Sequence, residues 1–207
     1  MPVLSIVCVS LAALWLALVI AAQLLTPEQS PLSMGMSGLS TGPHGGVMKA
    51  AFAARGTAAC ALAAALPGAL PAGWRPTTGL VLLLVWGVGS VLLAIWDTDM
   101  PGDPPSRQGR AHVLIALVAY LAAMAAVLIL SPALSRLDGI AGEALWAMPL
   151  AIVAAVSALL QFIAFGQQAR AAVAHSRPSG LGACAGLLQR VFRGIIMVWT
   201  VLAAASL

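Results

Sequence analysis

From Pro2 to Leu25 the chain carries no charged side chain. A hydrocarbon core of about 30 Å takes roughly 20 apolar helical residues to cross, and inside it only helices or closed barrels satisfy every backbone group. The run is rich in Ala and Leu and does not alternate, so it reads as a helix. Five more such runs follow, at about 45–66, 77–96, 112–130, 145–166 and 182–204. With 61% hydrophobic and 8% charged residues, 207 residues cannot dress a water-soluble globule in polar surface. The expected fold is all-α, a polytopic membrane protein with six transmembrane helices in a single domain over residues 1–207. A secretory leader is the competing reading of the first run, which lacks a positively charged start and is long for a leader.

Six crossings put both ends of the chain on one side, and the segments after the first, third and fifth runs on the other. Lys49, Arg107, Arg110, Arg170, Arg177, Arg190 and Arg193 fall on that second side, against Arg75 and Arg136. By the positive-inside rule this excess places the ends outside. Five of the seven lie in segments with a functional look, however, and without them the count is a tie, so the membrane side is left open. Arginine outnumbers lysine nine to one in an Ala-rich chain, which points to a bacterial source and a multi-pass protein of the cytoplasmic membrane. The net charge of +4 is scattered over loops and helix ends and forms no nucleic-acid patch. Cys8, Cys60 and Cys184 show no paired spacing and read as small buried thiols.

The polar chemistry concentrates between the third and fourth runs, in Trp96-Asp97-Thr98-Asp99-Met100-Pro101-Gly102-Asp103-Pro104-Pro105-Ser106-Arg107-Gln108-Gly109-Arg110-Ala111-His112. This stretch holds three of the six carboxylates. Its prolines and glycines forbid a continuous helix and make a stiff turn at the membrane boundary. Lys49, Arg110, His112, Arg190 and His44 are expected on the same side. A cluster of this kind holds charge near lipid because each member has a partner, and it pushes carboxyl pKa values apart. Arg55 stands out separately, about ten residues or roughly 15 Å inside the second run, where a guanidinium is costly unless it faces a partner or a wet cavity. The bland alternative is a helix that starts later and leaves Arg55 near the interface.

Three functions compete on these residues. The first is an enzyme acting on an isoprenoid or other lipid-like substrate by general acid catalysis, in the manner of a terpenoid cyclase, with no cofactor. Asp99 or Asp97 would donate the proton, with His112 and Asp103 tuning it. Phe52, Trp86, Trp96, Phe162 and Trp199 would line an apolar chamber, and Lys49, Arg55, Arg110, His44, Gln189 and Arg190 would hold the substrate. The second is a metal-dependent lipid hydrolase using Asp97, Asp99, Asp103, His44 and His112, a ligand set without paired-histidine spacing. The third is a lipid-binding, transport or scaffold protein whose charges only lock the bundle.

Several of these residues carry a resemblance. Thr98-Asp99-x-Pro101-Gly102-x-x-x-Ser106-x-x-Gly109-x-x-His112, with Leu39-x-x-Gly42, Ala51-Phe52, Trp86-Gly87-Val88-Gly89 and Gln189-Arg190, resembles the bacterial six-span membrane family catalogued as domain of unknown function 998. The resemblance spans nearly the whole chain. It implies the six-helix fold and supplies no activity. One departure is local, since an aromatic residue commonly follows Gly-Pro in the family where this chain has His44.

Overall fold

A computed structural model describes residues 2–100, 103–136 and 145–207. Pro101 and Gly102 of the acidic stretch, and Asp138 and Glu143, which read as loop solvation, lie outside them. Six helices are long and apolar enough to cross a membrane. They are α1 (Pro2–Leu25), α2 (Gly45–Ala65), α3 (Trp74–Leu92), α4 (Arg107–Leu134), α5 (Ala147–Val173) and α6 (Ala185–Ala205), and no strand occurs among the described residues. Each helix packs on its neighbours in sequence, and α6 closes on α1, so the bundle is a ring. α2 and α6 also meet directly.

Small residues decide which helix lies innermost. α2 is largely Ala and Gly, and 67% of its apolar window is buried, against 17% for α1. At Gly56 a Cβ would collide with the backbone carbonyl of Gly87, and at Gly87 it would press on Cys60, so α2 and α3 are in backbone contact there. This is the close approach that small residues permit where burial of oily surface gives no drive to associate. The outer faces keep Val3, Ile6, Val88, Val113, Leu121 and Leu159 exposed, as a surface facing lipid would.

Several helix ends differ from the sequence expectation, and α5 runs on to Val173 where the apolar run ends near 166. α4 begins at Arg107 rather than His112, because the Ser106 side chain caps it by accepting from the Gly109 N–H at 2.9 Å. It also runs through Pro132 to Leu134. There the Ser131 hydroxyl donates to the Val127 carbonyl at 2.6 Å and accepts from Trp199 Nε1 at 3.0 Å, supplying polar partners beside the gap that proline leaves. α3 stops at Leu92, which leaves Trp96 in a turn with its carbonyl free for a side-chain donor.

The segments after α1, α3 and α5 lie together at one end of the bundle, as the crossing count requires. Thr41 reaches Met100 there, and Gln168 donates to the Ser33 carbonyl. Before α2 the chain turns at Gly42, whose φ of 79° is a left-handed conformation that glycine adopts without strain.

Candidate functional site

The acidic stretch folds into a clasp. The Asp99 carboxylate accepts from the Ser106 hydroxyl at 2.6 Å and from the Ser106 N–H at 2.9 Å. These bonds, the hydroxyl's first, hold its carboxyl below the usual carboxylate value. A side chain at Gly109 would collide with the same carboxylate. Four residues of the Thr98-to-His112 signature thus have one local purpose: Asp99, Ser106, Gly109 and His112 tie the end of α3 to the start of α4. His112 is 2% exposed, and its Nδ1 donates to the Trp96 carbonyl at 2.7 Å. A carbonyl can only accept, so Nδ1 carries a proton and Nε2 of the neutral ring is left as an acceptor, buried without a partner.

The remaining expected site residues divide. Asp97 pairs with Lys49 at 2.7 Å, both side chains part exposed. Asp103 accepts from the Met100 N–H at 3.2 Å and shapes the turn. His44 and Arg110 are exposed, and the His44 side chain makes no capping bond at the start of α2. Gln189 and Arg190 do not join the carboxylates. Gln189 Oε1 accepts from the Met36 N–H at 2.6 Å, and Arg190 donates to the carbonyls of Pro31, Met34 and Gly186 and to Gln23 Oε1. Both are spent on holding the 26–44 segment against α6. Trp199 is buried and bonded to Ser131, and Phe162 is only partly buried against the core. Among the described residues no group of three His, Cys, Asp or Glu side chains is placed to hold a metal ion.

Deeper in the bundle the structure assembles something the charge clusters did not announce. Arg55 on α2 and Arg193 on α6 are 1% and 3% exposed, and none of their guanidinium nitrogens has a hydrogen-bond partner. Counted from the helix starts at Gly45 and Ala185, they lie roughly 15 and 12 Å along helices long enough to cross a membrane. Arg55 therefore lies about midway along a helix that already starts at Gly45. Both lie over the Phe52 ring, at 5.6 and 5.8 Å from its centroid, and Arg193 lies 5.0 Å from that of Tyr120. Trp86, Ala123, Phe192 and Ile196 complete the lining, around a void of about 10 Å³. That is room for about one water. His112 stands on the loop side of this chamber, its ring 6.4 Å from Phe52. Polar groups thus line up from the Lys49–Asp97 pair at the rim, through His112, to the two arginines.

Magnitudes show that the chamber is electrostatically incomplete. Taking one ion out of water costs several kcal/mol even after relaxation, whereas a cation over an aromatic face recovers about 0.5–2 kcal/mol. Two like charges share the space, and no carboxylate lines it. Arg193, Tyr120 and Phe192 were not singled out as site residues by sequence reasoning. The available signal was an arginine four residues after Gln189 within an apolar run, on the rule that an ionisable group inside a membrane helix is a functional candidate.

The family model described as "Protein of unknown function (DUF998)" matches residues 10–206. No curated protein and no solved structure matches the chain.

Proposed function

The chain belongs to the DUF998 family, a membership that lends no activity, and we propose from its side chains that it binds a lipid-like amphiphile inside the membrane with an anionic group held between Arg55 and Arg193. The single observation behind this reading is the pair of buried guanidiniums without hydrogen-bond partners. An anion between them would supply the missing acceptors and cancel charge where water cannot. The apolar part of the ligand would lie along Phe52, Trp86 and Phe192, and the host would be the cytoplasmic membrane of a bacterium.

Turnover by carboxylic-acid catalysis draws less support from the geometry. Asp99 is arranged to stay ionised, Asp97 is paired with Lys49, and neither lines the aromatic chamber. If the ligand is transformed, the group best placed to move a proton is His112, whose buried Nε2 has no partner and whose ring lies 6.4 Å from Phe52.

The test is to extract the small molecules retained by detergent-purified wild-type protein, Arg55→Gln, Arg193→Gln and Asp99→Asn, and to identify them by mass spectrometry. Wild type and Asp99→Asn should retain the same acidic amphiphile, and both arginine variants should lose it. Equal retention in all four would overturn the reading. Accumulation of a different, unconverted isoprenoid in Asp99→Asn alone would restore acid catalysis in its place.

A further inference from the structure

The charge count of the chamber says more than that its ligand is an anion. Two guanidiniums face it, and among the described residues no carboxylate does. A carboxylate, a sulfonate or a phosphodiester brings one negative charge and would leave one arginine uncompensated in a medium that penalises isolated ions heavily. A terminal phosphate monoester brings close to two charges at neutral pH and three strong acceptor oxygens. Its oxygens suit the forked guanidinium, which binds phosphate in bidentate fashion.

One other orphaned group in the lining fits the same ligand. The Tyr120 hydroxyl, on the ring that Arg193 covers, is buried without a partner and is free to donate to a phosphate oxygen. Resting on the anion-binding reading, we infer that the head group held by Arg55 and Arg193 is the dianionic terminal phosphate of a single-chain or isoprenoid-like amphiphile. With only about 10 Å³ free, loading requires the helices that line the chamber to part.

The experiment compares hexadecyl phosphate, dihexadecyl phosphate, hexadecanoate, hexadecylphosphocholine and inorganic phosphate as ligands of the full-length protein in nonionic detergent. Affinity and melting temperature are read for wild type, Arg55→Gln, Arg193→Gln and Arg193→Lys, the last keeping the charge while removing the fork. Hexadecyl phosphate should bind about tenfold or more tighter than either single-charge amphiphile, a gap of roughly one uncompensated interaction. Each glutamine variant should bring the three close to parity, and the lysine variant should fall between.

If all three acidic amphiphiles bind wild type alike and the arginines are still needed, the phosphate inference fails while anion binding stands. If the zwitterion binds as well as hexadecyl phosphate and the arginine variants change nothing, both fail. Inorganic phosphate binding as tightly as hexadecyl phosphate would support the dianion and overturn the lipid, assigning the site to the free ion. Wild-type-like melting of the variants in detergent alone shows that loss of binding is not loss of fold.

Discussion

Arg55 and Ser106 show how differently one polar side chain can act in this protein. Ser106 contributes through geometry, since its hydroxyl caps α4 and donates to Asp99 in the same arrangement. Removing such a cap typically costs about 1 kcal/mol, so Ser106→Ala should lower the melting temperature modestly and leave ligand retention intact. The pH dependence follows from Asp99, whose folded-state pKa is depressed. A depressed carboxylate contributes its stability fully above the ordinary value of 3.8 and loses it as pH falls through the lower folded value. Melting measured downward from pH 5 should therefore show a loss in wild type that Asp99→Asn lacks. Arg55 acts through charge, in a place where charge is a burden. Replacing a buried, uncompensated ion with an apolar side chain of similar length removes its desolvation penalty, so Arg55→Met should raise the melting temperature of the ligand-free protein while abolishing anion binding. A fall in melting temperature without ligand would show that the guanidinium is already satisfied and remove the basis of the proposed site.

At the level of elements, the chamber depends on backbones that touch. α2 brings Phe52 and Arg55 inward only because Gly56 lets it lie against α3 at Gly87. A methyl at Gly56 meets backbone atoms, which cannot rotate away, and overpacking of this kind costs about 1–3 kcal/mol. Gly56→Ala should lower stability by that order and weaken ligand binding as α2 is displaced, whereas Gly46→Ala, open to space, should do neither. The same logic holds where Gly186 meets the backbone of Met34, beside the carbonyls that Arg190 holds. Gly186→Ala should free the 26–44 segment, seen as faster protease cleavage there with the helices intact. An unchanged cleavage rate would mean that the side-chain bonds of Gln189 and Arg190 to the segment suffice without that contact.

For the whole molecule, the ring of six helices sets one polar end against one plainer end. The segments after α1, α3 and α5 share the polar end, and His112 stands between it and the Phe52 side of the chamber. Single cysteines placed at His44 and Ser176, in a chain otherwise free of cysteine, should react with an impermeant reagent from the same side of sealed vesicles. A cysteine at Ala72 should react only from the other. Labelling of His44 and Ala72 positions from one face would contradict the six-crossing arrangement and with it the depth assigned to the arginines.

How much of this was legible in the sequence differs by feature. The class of fold, the number of long apolar helices and the grouping of alternate segments at one end follow from hydropathy alone, because lipid admits so few backbone solutions. The concentration of polar groups and the break in helix at the Asp99-to-His112 stretch were legible too, from its prolines and its density of charge, and the structure gives it the geometry of a helix cap and clasp. What only the tertiary structure decided is that Arg55 and Arg193, 138 positions apart in the chain, share one aromatic ring and lack partners. Hydropathy fixes how deep a side chain sits along its own helix, but not which way it faces or what faces it. Those depend on the rotation of α2 against α6, which is set by the packing of Ala and Gly side chains whose contacts are collective and leave no local mark in the sequence.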